Sequence, residues 1–191
     1  LRIGIDVDGV LADFNPSYIR LLNEISGTVD PASEDYQPTQ WNYEADLGFT
    51  NEHVAEAWKQ ISVSDYFWCN LGYFEDNFWA SLKLDEDWEA ETYYITARPG
   101  KSAKRQTERW FMAQDVYYDP TVLISAHKGL CAKALDLEVY IDDRLENILD
   151  VERTSPSTRA YLINRSYNVN GDVLRRADTV SEVLRREGYG Q

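Results

Sequence analysis

Two aspartates one residue apart, Asp6 and Asp8, follow the apolar run that opens the chain in IDVDGVLADF, residues 5–14, with Asp13 close behind. Gly9 turns the chain directly after the pair. Carboxylates aimed at one spot repel each other, so a counter-charge must meet them there. Three other apolar runs end in side chains able to do chemistry: Thr96, Ala97 and Arg98; Ser125, Ala126, His127 and Lys128; and Asp142, Asp143 and Arg144. Hard oxygen ligands in this number suit Mg²⁺, which keeps waters and shares a substrate phosphate. With that ion bound, a phosphate monoester can accept a hydrogen bond from Thr96, pair with Lys128 and face a carboxylate nucleophile, which makes the set a phosphotransfer site.

A calcium loop fits worse, because Val10 stands at the third ligand position and no Glu closes the loop. Lys133 competes with Lys128 in HKGLCAK, but Lys128 lies at the helix start beside the strand end. His53 reads as a polar helix-face residue and His127 as a loop or cap residue, and the chemistry needs neither. Tyr167 and Asn168 read as a turn, with closure of the site as the alternative.

The elements that must position these groups follow from periodicity. LRIGIDV is a buried strand, and NPSYIRLLNEISG a helix with Pro16 near its start and Gly27 as its stop. Residues 28–84 are rich in acids and aromatics and contain a helix in TNEHVAEAWKQI capped by Thr50 or Asn51, but no convincing strand. Strands ETYYITA, TVLIS, EVYIDD and RAYLIN then alternate with helices SAKRQTERWFMA, KGLCAKAL and LENILDVER. Such alternation predicts an α/β fold, a doubly wound parallel sheet in a three-layer sandwich, formed by residues 1–27 and 85–191, with a small helical cap inserted as residues 28–84. Ligands of such sheets collect outside the carboxyl ends of the strands, where all four groups lie.

The 191 residues allow one sizeable core, and the net charge of −14 excludes a grip on long nucleic acid, which needs clustered Lys and Arg. Residues 1–95 hold only Arg2, Arg20, Lys59 and Lys83 as cations, so an anion is held by the second half. No apolar run approaches a membrane span, the first residues lack the pattern of an export leader, and the cytoplasm is the expected compartment. Cys69 and Cys131 read as free thiols. The oligomeric state stays open, a homodimer included.

The order of these pieces resembles the haloacid dehalogenase (HAD) superfamily of phosphohydrolases: DVDGV for its first motif, Thr96 in ITARP for its second, Lys128 for its third and IDD for its fourth. The resemblance implies that Asp6 attacks phosphorus, that Asp8 protonates the leaving oxygen and later activates water, and that Thr96 and Lys128 complete the catalytic set. It also implies that Asp6, the backbone carbonyl of Asp8 and Asp143 hold Mg²⁺, with Asp142 helping directly or through water. DVDGVLADF, IDDR, and LINRSYN followed by RRADTVSEVL are similar to the 5′(3′)-deoxyribonucleotidase branch, the cytosolic type C 5′-nucleotidases. That likeness implies a nucleoside monophosphate as the small-molecule partner, with Phe14 under the nucleoside and Arg144 shaping the pocket. Ala97 and Arg98, beside Thr96, join the expected substrate-binding set, Arg98 with ion pairing to surplus acids as its alternative. Most of Trp41, Trp58, Trp68 and Trp79 are expected to hold the insertion together. Other readings are the same chemistry on another small phosphate such as a sugar phosphate, a metal-binding regulatory protein without turnover, and a nucleotide-sugar transferase with a metal-binding Asp-x-Asp.

Overall fold

The computed structural model describes residues 1–86, 90–114, 120–170 and 172–189. Strand β1 (Arg2–Ile5) leads through a short β2 (Ala12–Asp13) into α1 (Asn15–Ser26), and α2 (Asn51–Val63) follows a stretch without regular structure. A 3-10 turn (Phe67–Cys69), β3 (Gly72–Tyr73) and α3 (Glu75–Glu86) come next, then β4 (Glu91–Thr96), α4 (Ala103–Met112) and β5 (Val122–Ile124). The chain ends with α5 (Lys128–Ala134), β6 (Val139–Asp142), α6 (Leu145–Thr154), β7 (Arg159–Ile163), β8 (Arg176–Ala177) and α7 (Val180–Arg186).

The main sheet has the order β5-β4-β1-β6-β7-β8, with every pairing parallel. Both faces are covered, so its strands read as continuous apolar runs. Alternate residues serve opposite layers: Tyr94, Ile141 and Ile163 pack with residues of α1, α4 and α7, whereas Ile95, Tyr140 and Leu162 pack with residues of α5 and α6. Gly4, in central β1, has no room for a side chain, since a Cβ there would lie 2.5 Å from Leu137 Cδ1 and 2.9 Å from Tyr140 Cδ2. The α/β sandwich is the one the periodicity predicts. After β1 the sheet grows toward β4 and β5, then resumes on the other side with β6. That reversal places a crevice at the carboxyl ends of β1, β4 and β6.

The expected helices form, with Gly27 in the left-handed region at the end of α1 (φ 59°) and Thr50 capping α2. His53 belongs to that cap: its Nδ1 accepts from Thr50 N and its own N–H donates to Thr50 Oγ1. Three differences stand out. A two-residue strand, β3, pairs antiparallel with β2, too short to show periodicity. The final β8 and α7, outside the expected set of elements, add an edge strand and a helix buried through Val180, Val183 and Leu184. Of the four insertion tryptophans only Trp68 is buried; Trp41, Trp58 and Trp79 are each more than a third exposed, so most of them do not serve as core.

Within residues 28–84, α3 packs against β4 and α7 rather than against α2. Its buried Asn77 donates to Val10 O at 2.9 Å and accepts from Val180 N at 2.9 Å, joining the loop after β1 to the start of α7. No helix among the described residues is long and apolar enough to cross a membrane. Replacing Asn77 by Ala leaves the buried Val180 N–H unpaired, at about 1–3 kcal/mol, and leaves Val10 O with only the longer contact from Arg165 at 3.4 Å. We expect Asn77→Ala to lower the unfolding free energy in urea by about 2 kcal/mol, with an unchanged slope.

Candidate active site

The loop after β1 is a tight reversal. Leu11 and Ala12 N–H both donate to Val7 O, Gly9 N–H donates to Ala12 O, and Gly9 takes φ 83°, which L side chains rarely adopt. A Cβ at Gly9 would also collide with the Asp143 carboxylate and lie 2.9 Å from the Tyr167 hydroxyl. The bend therefore lets Asp6 and Asp8 share one crevice with the end of β6.

Each carboxylate there is answered differently. Asp6 is buried and its Oδ1 accepts from Lys128 Nζ at 2.5 Å; the same ammonium donates to Ile95 O at the end of β4. Burial pushes the Asp6 carboxyl well above its ordinary value, Lys128 opposes that rise, and Asp142, Asp143 and Asp8 add to it. Burial alone would lower Lys128, but the facing Asp6, Asp142 and Asp8 raise it on balance, so it keeps its proton. Lys133, its competitor in the sequence, lies exposed on α5.

Asp8 meets a different cation. Arg98 Nε reaches Asp8 Oδ1 and Oδ2 at 3.1 and 2.9 Å, Arg98 Nη2 reaches Oδ1 at 2.7 Å, and Thr96 Oγ1 donates to Oδ2 at 3.0 Å. Asp142 is saturated by neutral donors: Tyr140 Oη at 2.5 Å, Asn147 Nδ2 at 2.9 and 3.1 Å, and Arg144 N at 2.8 Å.

Asp143 is the exception. Its Oδ2 accepts from Tyr167 Oη, while Oδ1 is buried with no hydrogen-bond partner among the described residues. Burial, then the neighbouring Asp142, pushes its carboxyl up to about 7, against the pull of the Tyr167 hydroxyl and Arg165. One carboxylate oxygen each from Asp6, Asp142 and Asp143 lies within 4.8 Å of the others. An all-oxygen donor set, a buried orphan oxygen and a shortage of positive charge fit a hard divalent cation. Asp6 and Asp143 are the groups to hold it, with Asp142, both of whose oxygens already accept hydrogen bonds, adding charge beside them.

A cavity of about 390 Å³ opens beside Asp8 and Asp143. Phe14, Trp41 and Trp58 give it aromatic walls, and Asp13 and Glu44 add carboxylates. Phe14 stacks on Tyr18 at 5.0 Å and on Trp58 at 5.7 Å between ring centroids. A larger hollow of about 580 Å³, along α3 and α7, shares no residue with the carboxylate group.

The sequence-predicted residues thus divide. Asp6, Asp8, Thr96, Lys128, Asp142 and Asp143 come together, and Phe14 lines the adjoining cavity. Ala97, just past the end of β4, is exposed, and the next residue, Arg98, is buried against Asp8. Arg98 therefore answers an acid, the alternative to substrate contact. Arg144 stacks over Trp41 at 4.3 Å and does not line the cavity.

Three residues after β7 complete the site: Tyr167 and Asn168, for which closure of the site was the alternative to a turn, and Arg165, which the sequence reading did not single out. Tyr167 holds Asp143, Asn168 Nδ2 donates to Asp143 O at 2.7 Å, and Arg165 Nε donates to Gly9 O at 2.7 Å while its guanidinium lies over Phe74. The signal was their position: β7 adjoins β6, and its carboxyl end opens on the same crevice.

No family model matches the sequence. No curated protein matches it either. Among solved structures, the chain is similar to a candidate beta-phosphoglucomutase from Thermotoga maritima, at 15% identity over 98% of both chains with a TM-score of 0.61. It is likewise similar to CbbY from Rhodobacter sphaeroides, crystallised with phosphate, at 13% identity over 95% of both chains with a TM-score of 0.55. A magnesium-bound candidate HAD hydrolase from Bacillus subtilis matches at 11% identity over 98% of both chains, with a TM-score of 0.60. The fold is that of the HAD hydrolases.

Proton and cation compete for the Asp143 carboxylate. Without metal, this carboxyl holds a proton in the folded protein between its ordinary 3.8 and about 7, where the unfolded chain holds none. Its contribution to stability is complete below the unfolded value and disappears as pH rises through about 7. The rise in Tm on adding Mg²⁺ is therefore larger at pH 8 than at pH 5.5, and Asp143→Asn removes most of it. Tyr167→Phe, which frees the side chain that bears the ligand oxygens, weakens Mg²⁺ binding by about 10–100-fold in a calorimetric titration.

Proposed function

We propose that this chain is a Mg²⁺-dependent phosphomonoesterase working through an aspartyl phosphate, with nucleoside monophosphates as its substrates. The observation that carries the reading is the buried meeting of Asp6, Asp142 and Asp143, with Lys128 on Asp6 and one Asp143 oxygen unpartnered. A bound divalent cation would neutralise phosphoryl charge and so let an anionic nucleophile approach an anionic ester.

Asp6 attacks phosphorus, and the electron pair of the P–O ester bond passes to the leaving oxygen, which takes the proton of Asp8. A water molecule then gives a proton to Asp8 and attacks the same phosphorus, releasing phosphate and restoring Asp6. Lys128 holds phosphoryl charge, and Thr96, whose hydroxyl rests on Asp8, has a hydrogen bond to redirect to a phosphoryl oxygen. Aromatic walls at Phe14, Trp41 and Trp58 support the nucleoside reading, since base stacking on such faces contributes about 1–3 kcal/mol per base in single-strand binders. A sugar phosphate is the second reading. It is favoured by the carboxylates Asp13 and Glu44, which can accept from ring hydroxyls, and by the likeness to the Thermotoga structure named for a sugar phosphate mutase.

Release of inorganic phosphate from a panel of nucleoside and sugar monophosphates, with and without Mg²⁺, tests both. We expect Mg²⁺-dependent release, fastest from nucleotides; preference for phosphosugars over every nucleotide would select the second reading. Asp6→Asn is expected to reduce turnover by about three orders of magnitude or more with circular dichroism unchanged.

A further inference from the structure

Arg98 is the most enclosed cation of the site. Its side chain has no solvent exposure, and it is not among the residues that line the cavity. All three of its nitrogens donate to a partner. The edge formed by Nε and Nη2 spans the Asp8 carboxylate, and Nη1 donates to Thr107 Oγ1 at 2.9 Å. Its ζ carbon lies 4.8 Å from the Trp68 ring centre and 5.7 Å from that of Trp110. These neighbours are themselves fixed. Thr107 donates to Ala103 O within α4, Trp68 N–H donates to Gln106 Oε1, Trp68 Nε1 donates to Pro99 O, and Trp110 Nε1 donates to Leu71 O.

The loop bearing Asp8 is held through its backbone by Arg165 and Asn77, whereas the Asp8 side chain, a quarter exposed at the cavity, is held by Arg98 and by the Thr96 hydroxyl. A planar guanidinium matches a carboxylate edge in distance and direction, and seating it between two indole rings fixes that plane. Trp68 also stacks on Phe14 at 5.9 Å, with ring planes 24° apart. A continuous packed path thus runs from the aromatic wall of the cavity through Trp68 and Arg98 to Asp8.

We propose that Arg98 is a positioning residue for the leaving-group proton: it aims the Asp8 carboxyl at the ester oxygen from a seat built by Trp68, Trp110 and Thr107. This rests on the phosphomonoesterase reading and on the part that reading gives Asp8. In the step concerned, Asp8 O–H passes its proton to the ester oxygen as that oxygen receives the electron pair of the breaking P–O bond. An ester whose leaving group is stable as an anion needs that proton little; one with a basic leaving group needs it greatly. Misplacing Asp8 must therefore hurt the two kinds of ester unequally, whereas general loosening of the fold hurts them alike.

The experiment measures kcat/KM, which reports the ester-breaking step, for 4-nitrophenyl phosphate, phenyl phosphate and a deoxynucleoside monophosphate with saturating Mg²⁺. A positioned general acid contributes about 10²–10⁴-fold. Arg98→Gln is expected to lose about a hundredfold on phenyl phosphate and the nucleotide but less than about fivefold on 4-nitrophenyl phosphate, with KM little changed. Arg98→Lys, which keeps the charge but loses the fork, recovers part of the loss. Thr107→Val leaves Arg98 and Asp8 in place and removes only one fixing contact, so it shows the same pattern at about a tenfold scale and carries the test if Arg98→Gln does not fold. Equal losses on all three esters, or no loss, overturn the proposal. An unsubstituted chain that hydrolyses none of them overturns the phosphomonoesterase reading, and the proposal falls with it.

Discussion

Burying several carboxylates together is the constraint around which this molecule is organised. In a medium of low polarizability, like charges a few ångströms apart interact far more strongly than in water. Four carboxylates meet at the ends of β1 and β6, and among the described residues only two cations hydrogen-bond to them, Lys128 to Asp6 and Arg98 to Asp8. Two negative charges are left, the charge of one divalent cation. Arg165 lies farther out and also faces Asp13, whose own carboxyl burial raises. The upward displacement of Asp6 and Asp143 is the same deficit expressed as proton affinity. A site in this state takes a proton or a metal ion, and its oxygen-only chemistry favours a hard ion.

The sheet order makes such a meeting affordable. β1 lies between β4 and β6, so Asp6, Thr96 and Asp142 arrive side by side on rigid, fully buried strands. The bend at Gly9 then turns Asp8 back toward β4, and Arg165 holds the bend through Gly9 O and Val10 O. Asn77 fixes the same bend from the other side through Val10 O. Two distant segments of sequence thus clamp one loop, which is how a turn with an unusual backbone angle stays in a single geometry.

Most of this was legible in the sequence because buried parallel strands advertise themselves as apolar runs, and the chemistry sits just past each run. Asp6, Asp8, Thr96, Lys128, Asp142 and Asp143 all follow that rule. Direction was not legible. At the end of β4, successive side chains point to opposite sides, so Ala97 is exposed and Arg98 is buried, and no spacing in TARPG tells which lies inward. The tryptophans misled for a related reason, since composition shows that aromatic bulk is present but not which rings face a cavity. β8 escaped because two residues show no period, and the choice between a turn and site closure for Tyr167 and Asn168 stayed open because a polar run after β7 looks like any turn until its neighbour β6 is known.

The adjacent pair Asp142 and Asp143 shows how one residue of register divides labour. Side chains two apart share a face of a strand, so Asp142 continues the face of Tyr140 and takes its hydroxyl as a donor. Asn147, one turn into α6, and the backbone of Arg144 complete its set. With both oxygens so engaged, Asp142 has little left to give an ion except charge. Asp143 points the other way, toward the bend at Gly9 and the loop after β7, where Tyr167 takes one oxygen and leaves the other bare. The members of the pair differ: one carboxylate is fully bonded, and the other is held by one oxygen while its second has no hydrogen-bond partner among the described residues.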